Sequence, residues 1–237
     1  MILLAELVVV LVASCVQGLT GFGFAVVAVP LLATLGGLDD AIAIAGLLGL
    51  WASVNTIRSS HPDIHWPVVR SLLRGTAIGL PVGMYVVHLI DTRRLTVVTG
   101  VVVLALAAAL LMGLQIRCTR PIAQGVTGVL SGTLGACTGM TGPPVVIALR
   151  GTDLSAAATR ATLAVTLGTA GAAILALRTL TGHVHVSSLP VVALAVPLVW
   201  AGNRVGQWVF ARVTPAGYRA VVMFLLVVSG VTAIVPR

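Results

Sequence analysis

Lysine is absent from this chain, so all fourteen basic side chains are arginine, and only six carboxylates oppose them. Charged residues make up 8% of the 237, against roughly 25% in soluble domains. That is too little charge to cover a water-facing surface. With 58% hydrophobic residues and a mean hydropathy of +1.12, the composition predicts an integral membrane protein with almost nothing left over for a soluble domain. A formal charge of +8 on a soluble protein would suggest nucleic acid. Here the arginines stand singly or in pairs at the ends of apolar spans, where positive charge sets topology, and no nucleic-acid partner is expected.

Cysteine is scarce as well. Cys15, Cys118 and Cys137 are odd in number and share no Cys-x-x-Cys spacing, so neither a disulfide framework nor a thiolate metal site is suggested and they read as small core hydrophobes. His61, His65, His183 and His185 have no acid cluster beside them beyond Asp63, so they read as loop histidines and no metal is expected. The chain has no nucleophile paired with a base, no phosphate loop and no zinc-binding helix motif. No enzyme activity, cofactor or ATP site follows, and any energy source must be a gradient or a partner. The first sixteen residues lack a basic n-region and a small-residue cleavage site and carry Glu6, so this segment is read as retained.

Glycine and proline are abundant, and they cluster. Gly18-Leu19-Thr20-Gly21-Phe22-Gly23 runs into Pro30, and Gly132-Thr133-Leu134-Gly135 runs through Gly139 and Gly142 into Pro143 and Pro144. Shifted by 114 residues, Gly18 falls on Gly132, Gly21 on Gly135 and Pro30 on Pro144. Such clusters break a helix at membrane depth, and paired breaks in two halves of a chain point to a transporter's binding site. Further matches extend the repeat: Gly79 with Gly202 and Gly83 with Gly206 at an offset of 123, and Arg58 with Arg178 at 120.

The pieces flanking the first break, 3–16 and 22–35, are about 14 residues each, about 21 Å of helix, and neither crosses a core of about 30 Å alone. If each interrupted segment crosses fully, the arginines divide seven to seven between the two sides. If both are re-entrant hairpins, ten of them, including Arg58, Arg70, Arg74, Arg150 and Arg160, collect on one side against four. The second division obeys the positive-inside rule and is preferred, with both termini outside the cytoplasm. The predicted fold is an all-α integral membrane protein of two inverted repeats, 1–117 and 118–237. Each repeat is an interrupted re-entrant helical hairpin plus three transmembrane helices, together one membrane domain.

Half-helices starting near Phe24 and Pro143 would aim N–H groups and positive dipole ends at the midplane, which favours a small anion. Gly21, Gly23, Gly135 and Gly142 would let it approach the backbone, and Gln17, Thr20, Ser131, Thr133, Thr138 and Thr141 could supply donors. Hydroxyls in membrane helices also bond their own backbone, so each of these has a purely structural alternative. Arg160 stands several residues into a helix, as a fixed charge for the anion or as a side chain reaching the cytoplasmic interface. Arg204 invites the same argument, and Asn55 beside Arg58 is equally open. Glu6, inside an apolar segment, is the candidate for proton coupling, with the outer headgroup region as its alternative setting.

The two Gly-rich segments, the run Thr141-Gly142-Pro143-Pro144-Val145-Val146, and Arg160-Ala161-Thr162-Leu163 resemble the TauE/SafE family of sulfite exporters over nearly the whole chain. The resemblance implies a multi-pass protein of the bacterial inner membrane that exports a small anion: sulfite, another sulfur oxyanion, an organosulfonate or a small organic acid. It also implies a homodimer. Where the commonest family pattern carries a Gly-Gly-Gly run after the first break, this chain has Gly21-Phe22-Gly23-Phe24, an aromatic pair beside the expected site. The alternative from another class is a non-transporting membrane assembly or accessory protein, in which glycines serve helix packing alone and recur at four-residue spacing on lipid-facing stripes.

Overall fold

The computed structural model describes residues 2–89, 120–139, 141–180 and 189–214, with isolated helical positions within 101–108 and 216–227. Every regular element among the described residues is helical: α1 (Ile2–Thr20), α2 (Phe24–Gly36), α3 (Leu38–Ser60), α4 (Trp66–Leu89), α5 (Pro121–Thr138), α6 (Gly142–Arg150), α7 (Ala156–Leu180) and α8 (Leu189–Phe210), with a 3-10 turn at His61–Asp63. The predicted apolar segment 95–114, most of 217–235, Cys118, His183 and His185 lie outside the described residues. The helical membrane class predicted from composition is the class observed. Ile2–Thr20, Asp40–Arg58 and Ala156–Leu180 are each long and apolar enough to cross a membrane.

Three pairings organise the bundle: α1 with α8, α4 with α5, and α3 with α7. The first two are glycine contacts. A Cβ on Gly75, Gly79 or Gly83 would collide with the backbone of Gly125, Val129 or Thr133, and one on Gly128 or Gly132 with that of Leu72 or Thr76. Between α1 and α8, Gly18 meets the Asn203 backbone, Gly202 meets Leu11 and Ser14, and Gly206 meets Cys15. Small residues at these positions let two backbones approach closely, the main source of helix association where lipid removes the hydrophobic drive. Gly75, Gly79 and Gly83 do recur at four-residue spacing, but they are buried against α5 and do not form a lipid-facing stripe.

The outward faces are apolar. Ile122, Val126 and Leu130 on α5, and Ile78, Val82 and Tyr85 on α4, are exposed at helical spacing. Apolar side chains on an outward face suit a hydrocarbon solvent, and the α4 stripe becomes charged only toward the start of the helix, at Arg70 and Arg74. The buried interior divides into clusters. Val10 and Ala13 of α1 share one with Ala28, Val29 and Leu32 of α2 and with Leu48 of α3, and Phe22 anchors another with Val145, Val146 and Leu149 of α6.

Both helix breaks differ from their predicted limits. α1 continues to Thr20 and is 19 residues long, about 28 Å, so its length nearly matches the hydrocarbon core. The expectation that neither flanking piece could cross alone therefore fails for α1. Gly18 does not break the helix, because its missing Cβ is used to seat Asn203. The second break begins at Gly139, and Gly132 and Gly135 lie within α5 as packing positions against α4 and α7. Only Gly21, Gly23, Gly37 and Gly139 have positive φ among the described residues, and three of these mark the two breaks.

Candidate functional site

Local sequence fixes how each break is built. At the first, Gly21 (φ 79°) and Gly23 (φ 100°) turn the chain through left-handed conformations that a Cβ would strain. The last carbonyls of α1 then lack helical partners, and the protein supplies them. Gly21 N donates to the Gln17 carbonyl at 2.8 Å, Arg160 donates to the Gly18 carbonyl through Nε (3.0 Å) and Nη2 (2.7 Å), and Tyr218 Oη donates to the Thr20 carbonyl at 3.0 Å. The Thr20 hydroxyl bonds the Val16 carbonyl (2.7 Å) and the Phe22 carbonyl. Gln17 spans the break: its Oε1 accepts from Phe24 N, the first amide of α2, at 3.2 Å, and its Nε2 donates to Ser53 Oγ on α3 at 3.2 Å.

At the second break Gly139 (φ 74°) closes α5, and Ser131 Oγ donates to the Thr141 carbonyl at 2.7 Å. α6 then starts at Gly142 with prolines in its first turn. Pro143 and Pro144 bring no N–H groups, so this helix end offers a positive dipole but few donors. The two breaks meet. A Cβ on Gly142 would stand 3.3 Å from the Phe22 ring and 4.0 Å from Val26, both belonging to the first break and its helix.

Between them lies a cavity of about 80 Å³, bordered by Gln17, Gly23 and Phe24 from the first break, Gly139, Thr141 and Gly142 from the second, Ser53 from α3 and Arg178 from α7. A single water needs about 10–15 Å³, so the space suits a small solute. Its walls are mostly apolar, with Val29, Ile42 and Leu175 among them. Arg178 is its cation. It stands in the last turn of α7, is 9% exposed, and its charge also complements the negative end of that helix.

The predicted donors separate into two groups. Gln17, Gly23, Thr141 and Gly142 border the cavity. Thr20, Gly21, Ser131, Thr133, Gly135 and Arg160 do not: Thr133 donates to the Gly79 carbonyl at 3.2 Å, Gly135 packs on Thr141 and Ile174, and Gly21 packs on the Arg160 backbone. The Thr138 side chain lies outside what is described. Arg160 is held at the end of α1, with its guanidinium 4.8 Å from the centre of the Phe210 ring. Sequence reasoning missed Ser53 and Arg178, because a lone serine in an apolar helix and an arginine at a helix end carry no signal of which face they occupy. The aromatic pair divides likewise: Phe22 is fully buried in a packing cluster, while Phe24 walls the cavity. Among the described residues no three of His, Cys, Asp and Glu come together.

No curated protein and no solved structure matches the chain significantly. A family model does: two interrupted helices meeting at one small, singly cationic cavity belong to a sequence matched from residue 6 to residue 233 by the sulfite exporter TauE/SafE model, and the chain is a member of that family of membrane transporters.

Proposed function

We propose that this protein exports a small anion, such as sulfite, another sulfur oxyanion, an organosulfonate or a small organic acid, by secondary or facilitated alternating access. The anion sits in the cavity between the two breaks. The observation carrying this reading is that Arg178, Gln17, Ser53 and Thr141 border one cavity to which both breaks contribute. A fixed guanidinium in low dielectric binds an anion strongly, and an intramembrane charge is retained where it has such a task.

Two inverted repeats, 1–117 and 118–237, each a hairpin plus three crossings, are the architecture we assign. The glycine contacts support it. Gly132 stands against the Thr76 carbonyl as Gly18 stands against that of Asn203, Gly79 against Val129 as Gly206 against Cys15, and Gly75 against Gly125 as Gly202 against Leu11. These pairs keep the offset of 114 between α1 and α5 and require 127 between α4 and α8, in place of the 123 suggested by matching Gly79 with Gly202. Rocking one repeat against the other would open the cavity to each side in turn, in a bacterial inner membrane and with ion coupling or a homodimeric partner as further expectations of the family.

The test is anion efflux from proteoliposomes containing wild-type protein or Arg178→Gln. Efflux falls at least about tenfold in the variant, as expected for losing one charge-assisted contact. Arg178→Lys, which keeps the charge and loses the planar fork, is intermediate. Undiminished efflux by folded Arg178→Gln protein would remove the site from this cavity.

A further inference from the structure

A second cavity, about 370 Å³, opens between α3 and α8 and is lined by Asn55, Arg58, Trp200, Asn203, Arg204 and Gln207. Its chemistry differs from that of the central one. Two arginines and three amide side chains face it, and no carboxylate is among its lining residues. The deep wall is rigid: Asn203 is 1% exposed, its Nδ2 donates to the Ala52 carbonyl at 2.8 Å, and its Oδ1 accepts from Gln207 Nε2 at 2.6 Å.

One donor in this wall is unsatisfied. Asn55 Nδ2 is buried and makes no hydrogen bond within the described protein, a costly state for an amide unless something else accepts from it. At the mouth, the Arg204 guanidinium lies 4.9 Å from the centre of the Trp200 ring. Trp200, Val205 and Trp208 are exposed on the same helix, the mixture of aromatic and apolar groups found where a helix reaches the headgroup layer. Arg58 stands in the last turn of α3, as Arg178 stands in the last turn of α7. α3 thus serves both cavities, with Ser53 facing the central one and Asn55 and Arg58 facing this one.

We infer that this cavity is a second anion site, binding a tetrahedral oxyanion group, phosphate or sulfonate, between Arg58 and Arg204 with Asn55 Nδ2 as a third donor. Two planar guanidinium forks suit the several oxygens of such a group better than a single carboxylate, and the recess is roomy enough to take it with part of its hydration shell. The group reaches the recess either as the headgroup of an anionic lipid or as a free anion from the aqueous side. Neither source depends on the transport reading of the central cavity.

Calorimetric titration of the purified full chain in a neutral detergent, with inorganic phosphate in one arm and a soluble short-chain phosphatidylglycerol in the other, tests this. Wild-type protein is expected to bind at least one of them saturably. Arg58→Gln and Arg204→Gln each weaken that binding about tenfold, the effect of one charge-assisted contact. Asn55→Leu, which removes the donor and no charge, weakens it less, and Arg74→Gln, at an exposed arginine of α4 outside both cavities, leaves it unchanged. Binding of phosphate identifies a free-anion site, and binding of the lipid alone identifies a headgroup site. The inference is overturned if wild-type protein binds neither, if all three cavity variants bind as wild type does, or if Arg74→Gln weakens binding as much as they do.

Discussion

At the scale of single residues, the two buried arginines of α7 have opposite fates. Arg160 and Arg178 are 18 positions apart on one helix, about 27 Å, yet the first ends at a carbonyl and the second at a cavity. Arg160 near the start of α7 lies at the unfavourable end of that helix dipole, and the negative end of α1 compensates through the Gly18 carbonyl. Replacing Arg160 with Gln should therefore lower the stability of the detergent-solubilised protein by about 2–3 kcal/mol, the value of a hydrogen bond to a charged group, read as a drop in its melting temperature. Any efflux lost in that variant should track the loss of folded protein. Sequence position alone ranks Arg160 above Arg178, since the former stands inside an apolar run and the latter at its end. Which of them faces the cavity depends on how α7 is rotated against α3.

At the scale of elements, glycine does two different jobs that composition cannot distinguish. Gly21, Gly23 and Gly139 have positive φ and end helices, whereas Gly18, Gly79 and Gly132 are helical and seat a neighbouring backbone. Gly132→Val should abolish recovery of monodisperse protein, because its side chain would enter the Thr76 carbonyl. Gly125 has nothing within 4 Å of an added Cβ, so Gly125→Ala should be neutral or stabilise α5 by up to about 1 kcal/mol through helix propensity. Parallel melting curves of the two variants check both outcomes. The apolar runs 41–57, 68–90, 154–178 and 187–210 place α3, α4, α7 and α8 to within a few residues, because these runs are long. The ends of α1 and α5 are not legible in this way, since a Gly-rich stretch is compatible with either a break or a close contact until the partner helix is known.

For the whole molecule, helix length sets the path of the chain through the bilayer. α1 is long enough to cross, and α2, at 13 residues, is not. If α2 returns toward the side from which α1 entered, a single cysteine at position 61 and one near the N-terminus, in a background without native cysteines, are labelled by an impermeant reagent from opposite sides. Labelling from the same side would mean that α1 and α2 form one continuous crossing, and the inverted relation of the repeats would fall with it. The α1–α8 and α4–α5 pairings join the first half of the chain to the second, so neither repeat would keep its contacts alone. Expression of residues 1–117 by themselves should yield aggregated protein, and co-expression with 118–237 should restore a soluble complex in detergent.

The sequence by itself determined the membrane class and the existence of two interruptions, because both follow from composition and from where helix-breaking residues cluster, and its motifs determined the family. Tertiary structure decided which polar groups face the space between the breaks. Gln17, Ser53 and Arg178 come from three helices and Thr141 from the second break, and only the rotation of each helix about its own axis, set by glycine contacts elsewhere, turns them toward one another.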